Sequence, residues 1–138
     1  MIIDKWVLHK HQVKEKIMGR LKDCIDDLMK DLTDACHGEG EYTKDEYYPD
    51  ENPLGKNVVL TFVRNTTLDF NILYNSDGEY LSCQLLVTYG GPTIWIDTIS
   101  HKITGSWGDQ KYELNLDDNV IKQLDDAVMY EYGSKIYE

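Results

Sequence analysis

The sequence predicts an α+β fold: a long N-terminal helix, an antiparallel β-meander of about five to six strands, and a C-terminal helix packed on the sheet. Apolar residues recur every three or four positions over residues 12–35 and again over 116–132, a period typical of amphipathic helices. Between these stretches, apolar and polar residues alternate over 67–74 and 79–89, which is the period of a half-buried strand. The length of 138 residues indicates a single domain over residues 1–138.

The first helix is predicted from one apolar stripe that repeats at helical spacing. The stripe consists of Ile17, Met18, Leu21, Cys24, Ile25, Leu28, Met29, Leu32 and Ala35. Gly38 and Gly40 follow it and are expected to end the helix, because glycine readily adopts the left-handed conformation of a C-cap. Residues 41–56 have no periodicity and are predicted to form a long loop, of a length that is usually either functional or disordered.

The middle of the chain reads as consecutive strands joined by tight turns. Asn75-Ser76-Asp77-Gly78 is a strong hairpin turn signal, and Gly90-Gly91-Pro92 interrupts the next run. Trp95 and Trp107 fall on neighbouring strands of one hairpin, so we expect them to form an aromatic pair. The predicted strands cover residues 57–64, 67–74, 79–89, 93–98, 102–107 and 111–114.

The last helix is predicted over residues 116–132, with Asn115 as its N-cap and Gly133 at its end. Short connections favour pairing of strands that are neighbours in the sequence. Both helices are therefore expected to cover the same face of one sheet.

The formal net charge of −11 is the strongest compositional signal. Nucleic acid and anionic membranes should repel such a chain, because binding phosphates requires Lys and Arg. A complementary partner would be a basic protein surface. Acidity that serves only solubility is the alternative explanation.

The three cysteines are odd in number and form no CxxC motif, which favours reduced, mostly buried thiols in a cytoplasmic protein. The N-terminal residues lack the apolar core of a signal peptide, and no apolar run is long enough to cross a bilayer. We therefore expect a cytoplasmic location.

The charge is unevenly distributed along the chain. Residues 1–22 carry a net +4, residues 23–51 a net −9, and the remainder a net −6. On the first helix, four aspartates lie three or four residues apart and so share one side: Asp23, Asp27, Asp31 and Asp34. Their spacing is similar to that of phosphates along a DNA strand, so the row is a candidate occupant of a groove built for nucleic acid. A solvated outer helix face, partly balanced by Lys22 and Lys30, has the same pattern.

The predicted loop extends this acidic stretch and adds tyrosines to it. Rigid aromatic side chains beside carboxylates are typical of protein interfaces, although a solvated mobile loop is equally compatible with the composition. The candidate partner-binding residues of the loop are Glu39, Glu41, Asp45, Glu46, Tyr47, Tyr48, Asp50 and Glu51.

No catalytic motif is present. The chain has no phosphate-binding glycine loop, no GxSxG and no HExxH. The adjacent Cys36 and His37 have no further ligand pair at a spacing that suits a metal. We expect no cofactor, no metal and no enzymatic activity, with an enzyme whose site the sequence hides as the remaining alternative.

The segment Tyr89-Gly90-Gly91-Pro92-Thr93-Ile94-Trp95-Ile96-Asp97-Thr98, followed by Gly105-Ser106-Trp107-Gly108, resembles a family of small acidic accessory proteins. These are proteins of phages and mobile elements, of the anti-CRISPR and anti-restriction type, and the resemblance covers roughly residues 80–130. It implies a mobile-element origin, a location in the host bacterial cytoplasm, and an action against host defence nucleases. The glycines and tryptophans of the segment are expected to be structural.

The charge pattern and the resemblance together predict an inhibitor that binds the basic nucleic-acid-binding surface of a defence nuclease, such as a CRISPR effector. An adaptor or immunity-type protein that binds another basic protein is the alternative. A homodimer formed through an exposed sheet edge is a further alternative.

Overall fold

The computed structural model describes residues 5–47 and 57–133, with side chains from Gly19 onward other than that of Asp45. Its main elements are α1 (Lys5–Cys36), α2 (Val58–Thr66), β1 (Asp69–Tyr74), β2 (Tyr80–Thr88), β3 (Thr93–Asp97), β4 (Lys102–Trp107), β5 (Gln110–Asn115) and α3 (Asp118–Val128). Two 3₁₀ turns (Glu41–Thr43 and Asp45–Tyr47) and a terminal π-turn (Met129–Gly133) complete them. The predicted α+β class is confirmed.

The five strands form one antiparallel sheet in the order β1-β2-β3-β4-β5. Its register places Leu85 opposite both Phe70 and Ile96, and Ile103 opposite both Ile96 and Leu114. These side chains share one face because cross-strand partners project to the same side. The α1 helix covers this face at β4 and β5, and α3 covers it at β2. Both terminal helices therefore lie on one side of the sheet, as predicted.

The hydrophobic core between helices and sheet explains the apolar stripe of α1. Leu21, Ile25 and Leu32 are fully buried, as are Leu85, Ile96 and Ile103 on the strands. Each such side chain contributes about 1.5–3 kcal/mol on leaving water. At the closest approach of α1 to the sheet, a Cβ on Gly105 would lie 2.5 Å from Ile25 Cδ1. A glycine in β4 is what allows this approach.

The opposite face of the sheet is polar and carries no helix among the described residues. Asn71, Gln84 and Asp97 lie side by side across β1, β2 and β3, joined by amide hydrogen bonds of 3.3 and 3.0 Å. Trp95 lies on this face opposite Thr104, whereas Trp107 packs against the core on the other face. The predicted aromatic pair of Trp95 and Trp107 is therefore wrong, because the two rings project from opposite sides of the sheet.

The predicted strand over residues 57–64 is wrong: this segment forms the helix α2. Asn57 is its N-cap and accepts a hydrogen bond from the Leu60 amide at 3.1 Å. All six residues from Val58 to Val63 are buried. Burial on every side explains the continuous apolar run, which periodicity alone does not distinguish from a central strand. The sheet consequently has five strands.

The last helix begins later than predicted. Its N-cap is Asp117, which accepts from the Val120 amide at 2.9 Å, and not Asn115, which ends β5. A buried polar network ties α3 to the sheet: Tyr80 and Thr98 both donate to Asp125 Oδ1, at 2.6 and 2.8 Å. Thr98 also accepts from the Cys83 amide at 2.8 Å. The hydroxyls of Tyr80 and Thr98 are thus both hydrogen-bonded, as is usual for polar groups removed from water.

Candidate interaction surface

The aspartate row of α1 lies on the side of the helix that faces away from the core. Its spacing of four, four and three residues keeps the four side chains on one side of the helix, about 5–6 Å apart between neighbours. Asp23 and Asp27 are exposed, and Asp31 and Asp34 are half-buried. The buried Leu21, Ile25 and Leu32 occupy the other side of the same helix. The row is therefore held in place by the packing of the opposite face of α1.

The segment after α1 folds back against the end of the helix. Gly40 has a φ of 89°, and a Cβ at this position would lie 2.8 Å from Asp34 Cβ. Tyr42 anchors the segment by packing edge-on against Phe62 of α2, with ring centroids 5.4 Å apart. Tyr47 packs on Tyr42 at 5.2 Å. The fold-back brings the acids of the segment next to those of the helix.

The contiguous carboxylates on this surface are here called the acidic face. The acidic face consists of Asp23, Asp27, Asp31, Asp34, Glu39, Glu41 and Glu46. The side chain of Asp45 is not described, and Tyr48, Asp50 and Glu51 lie outside the described residues. Tyr47 is half-buried, and its hydroxyl donates to Glu41 at 3.4 Å. The candidate residues that the structure describes thus form one surface.

Only part of the acidic face is neutralised by the chain itself. Lys30 pairs with Asp34 at 2.9 Å, and Lys44 pairs with Glu41 at 2.7 Å. Lys22, which the sequence suggested as a balancing charge for the row, instead pairs with Asp26 at 2.6 Å. Within residues 19–47 as described, the other five carboxylates of the acidic face have no ion pair. These five are available to a basic partner.

Asp31 is the residue of the acidic face whose carboxyl is both half-buried and close to other negative charges. Burial raises the pKa of its carboxyl, and the neighbouring Asp27, Asp34 and Glu41 raise it further, against the opposing effect of Lys30. The same surroundings raise the pKa of Tyr42, mainly by burial and next through Asp31. The pKa of Glu41 is lowered, first through its hydrogen bond with Lys44. Negative charge in the acidic face is therefore unfavourable at Asp31.

One acidic residue of α1 outside the predicted binding surface has a defined role. Asp26 accepts from the Tyr112 hydroxyl of β5 at 3.1 Å and from Lys22, whose hydrogen bond lowers the pKa of Asp26. It faces the sheet and not the acidic row, so it links α1 to β5. The i,i+4 spacing of Lys22 and Asp26 was visible in the sequence, but a contact with a residue 86 positions away was not.

The described residues line at least two cavities. A cavity of about 770 Å³ on the polar sheet face includes Trp95 and Lys111, and a second of about 320 Å³ lies between α2 and α3. Each has a single carboxylate in its lining, Glu113 in the first and Asp126 in the second. Glu113 is already paired with Lys102 at 2.9 Å. Neither cavity offers the pair of carboxylates that most glycoside hydrolases use.

The three cysteines differ in exposure, and burial raises the thiol pKa of two of them. Cys83 is fully buried, and burial raises the pKa of its thiol. Burial likewise raises the pKa of Cys36 to about 11, whereas Cys24 is exposed, contrary to the expectation of mostly buried thiols. A thiol with a raised pKa is a poor nucleophile at neutral pH. No cluster of three metal-ligating side chains occurs in the described part of the chain.

No protein-family model, no curated protein and no solved structure matches this chain. The resemblance over residues 80–130 thus stays a prediction. Among the described helices, none has the length and apolar composition needed to cross a membrane.

Proposed function

We propose that this protein is a non-catalytic inhibitor whose acidic face binds the basic nucleic-acid-binding surface of a bacterial defence nuclease. The observation that carries the proposal is the acidic face itself, with five carboxylates that have no ion pair within residues 19–47 as described. Such a surface in a chain of net charge −11 is attracted to clefts lined with Lys and Arg.

The dimensions of the row support a nucleic-acid groove as its binding site. Asp23 and Asp34 are eleven residues apart on one helix. A rise of 1.5 Å per residue separates them by roughly 16 Å, over which one DNA strand carries about five phosphates. The row places four carboxylates along that length. A channel that holds nucleic acid through backbone contacts recognises this kind of charge array without reading bases.

The alternative is an adaptor or immunity-type protein that uses the same surface against a basic protein other than a nuclease. Tyr47 beside Glu41 favours this alternative, because aromatic residues mixed with charges are typical of protein–protein interfaces in general. The two proposals share the surface and differ in the partner. Competition with nucleic acid distinguishes them.

The test uses two variants with the same change in net charge. The row variant carries Asp23→Asn, Asp27→Asn, Asp31→Asn and Asp34→Asn. The control variant carries Asp77→Asn, Glu79→Gln, Asp118→Asn and Asp126→Asn, four exposed acids outside the acidic face. Each protein is titrated against purified CRISPR effectors and restriction nucleases at low and moderate salt, with binding and DNA cleavage as readouts.

We expect the native protein and the control variant to inhibit cleavage in competition with DNA, and to lose affinity as salt rises. The row variant should bind at least about tenfold more weakly, with a flatter salt dependence, because it lacks the complementary charges. Equal binding by the row variant would reject this mechanism. Binding to a basic protein without competition by DNA would favour the adaptor.

A further inference from the structure

The polar face of the sheet holds a groove that the proposed inhibitor surface does not use. It runs along β4 and is the larger of the two cavities described above, with a volume of about 770 Å³. Pockets that bind small molecules typically have volumes of about 300–1,000 Å³. The side chains that line it are here called the Trp95 groove: Thr93, Trp95, Thr104, Ser106, Lys111 and Glu113.

The register of the sheet explains why a groove forms at this place. In one row across the strands, Trp95 lies opposite Thr104, which lies opposite Glu113. In the next row on the same face, Ser106 lies opposite Lys111. Long side chains on β3 and β5 therefore flank the short hydroxyl side chains of β4. Neighbouring strands are about 4.8 Å apart, so the two walls of the groove stand roughly 10 Å apart.

Most polar groups of the Trp95 groove make no hydrogen bond to another described residue. This holds for five groups: the hydroxyls of Thr93, Thr104 and Ser106, the ammonium of Lys111 and the indole N–H of Trp95. The hydroxyls can each donate and accept, whereas the other two groups only donate. Glu113 adds an acceptor, because Lys102 occupies its Oε1, at 2.9 Å, and leaves Oε2. Donors and acceptors thus converge on one groove with their capacity unused.

Trp95 supplies the apolar surface of the groove. Its side chain is half-buried, and no aromatic ring of the described residues stacks on it. The face of an indole carries partial negative charge, so it attracts C–H groups, which carry partial positive charge. A sugar ring combines these two requirements, since it has C–H groups on its face and hydroxyls around its rim.

The groove lies in a part of the surface that has no net charge. On this face, β3, β4 and β5 carry two lysines and two carboxylates: Lys102, Lys111, Asp97 and Glu113. The balance removes the attraction for cations that the acidic face has, and the total charge of −11 disfavours an anion. A ligand without net charge suits this groove best.

We infer that the Trp95 groove binds a neutral sugar ring, with the C–H face of the ring on the indole of Trp95. The hydroxyls of the sugar then accept from Lys111 and donate to Glu113, and they exchange hydrogen bonds with Thr104 between the two walls. A nucleotide would also stack on Trp95, but its phosphate is repelled by an acidic protein. The inference does not rest on the proposed function, because α1 with its aspartates covers the opposite face of the sheet.

The test follows binding of sugars to the full chain by NMR. Glucose, galactose, mannose and N-acetylglucosamine are titrated separately, and AMP serves as the charged ligand that also stacks. At least one sugar should shift the Trp95 indole N–H and the Thr104 amide in a saturable way, with a dissociation constant of about 1 mM, since an open groove holds only one ring. AMP should bind more weakly than that sugar.

Two trisaccharides identify the source of the sugar ring. Tighter binding of maltotriose than of chitotriose would indicate a storage α-glucan as the ligand. The reverse order would indicate a glycan of N-acetylated sugars, as in cell walls. Both outcomes support a sugar site.

Four variants connect the binding to the groove, with the Thr104 amide or its equivalent as the readout. Trp95→Ala should weaken binding at least about tenfold, because it removes the stacking surface. Thr104→Val keeps the shape of the side chain but removes the hydroxyl, and should weaken binding about fivefold. Thr104→Ser restores the hydroxyl and should bind as the wild-type protein does. Tyr89→Ala removes an aromatic side chain that is 80% exposed outside the groove, and should leave binding unchanged.

The absence of a saturable shift at Trp95 with every sugar overturns the inference. Tighter binding of AMP than of any sugar also overturns it and assigns the groove to a nucleotide. Equal binding by Thr104→Val and Thr104→Ser would contradict the predicted hydrogen bonds, and this comparison remains decisive if Trp95→Ala does not fold. Each of these results leaves the proposed function of the acidic face untouched.

Discussion

Individual residues on α1 differ in what surrounds their charge, and Asp31 has the least favourable surroundings. Its carboxyl is half-buried, and burial together with Asp27, Asp34 and Glu41 raises its pKa. The folded protein therefore binds this proton more tightly than the unfolded chain does. Asp31 consequently opposes folding above its folded pKa, and the opposition disappears as pH falls through that pKa toward 3.8. A destabilising charge retained on an interaction surface is the expected cost of binding there.

Asp31→Asn should stabilise the protein at neutral pH. The expected gain in the free energy of unfolding at pH 7 is about 0.5 kcal/mol, a small value because the group is partly solvated. The gain should shrink as pH falls toward 3.8 and be lost below it, because Asp31 of the wild-type protein is then protonated in both the folded and the unfolded states. Urea unfolding at both pH values measures it. Asp23→Asn, an exposed position of the same row, is the control and should change little; stabilisation by both would show a general charge effect.

Glycine at position 105 sets the distance between two elements, α1 and β4. A Cβ there would lie 2.5 Å from Ile25 Cδ1 and 3.0 Å from Leu21 Cδ1. Both side chains are fully buried and have little room to move. The close approach thus depends on the absence of a side chain in the strand.

Gly105→Ala should destabilise the protein by about 1–3 kcal/mol, because overpacking forces α1 away from the sheet. Ile25→Val removes the atom with the shortest contact, so the double variant should lose less than the sum of the two single variants. Chemical denaturation of the wild-type protein, the two single variants and the double variant gives the four unfolding free energies of this double-mutant cycle. Additive losses would mean that the added methyl is accommodated without contact with Ile25.

The elements that could be predicted from sequence are those in which local and tertiary preferences agree. Both terminal helices and the strands β1 to β5 follow their hydrophobic periods; most boundaries differ by a few residues, but α1 begins at Lys5, seven residues before the predicted start at residue 12. α2 was missed because β-branched and aromatic residues favour strands locally, whereas burial on all sides accommodates them in a helix. The spacing of Val58 to Phe62 and of Val59 to Val63, each i to i+4, and the preceding Asn57 were the available helix signals.

The candidate site was predictable only where it lies within one element. The aspartate row follows from helical spacing alone. The fold-back of the next segment depends on Tyr42 against Phe62, and this contact requires α2, which the sequence assigned to a strand. The link from Asp26 to Tyr112 joins residues far apart in the chain, so no local pattern indicates it.

At the scale of the whole molecule, most of the excess negative charge belongs to one stretch of the sequence, since residues 23–51 alone have a net −9 of the total −11. Apart from the pair of Arg64 with the more buried Glu131, the described ion pairs are partly to largely exposed, and such pairs contribute little to stability. Repulsion between carboxylates within the acidic face destabilises the folded protein. Carboxylates of the acidic face lie about 5–6 Å from their neighbours, whereas the ion pairs have N–O distances of 2.6–2.9 Å, and screening by salt grows with separation over a Debye length of about 10 Å at 0.1 M. Added salt should therefore weaken the repulsion within the acidic face more than it weakens the attraction within the ion pairs.

We expect the melting temperature to rise by about 3 °C between low salt and moderate NaCl, a shift that corresponds to less than about 1 kcal/mol for a chain of this size. The row variant with four Asp→Asn changes should show a smaller rise than the control variant with Asp77, Glu79, Asp118 and Asp126 changed. The two variants have the same net charge. A difference between their rises in melting temperature would therefore come from repulsion on α1 and not from the total charge. Repeating the measurement with KCl and NaCl at matched ionic strength checks that screening, and not a specific ion, causes the shift. Equal rises in the two variants would mean that the acidic face is no more crowded than the rest of the surface, and would weaken the case that its charges are arranged for a partner.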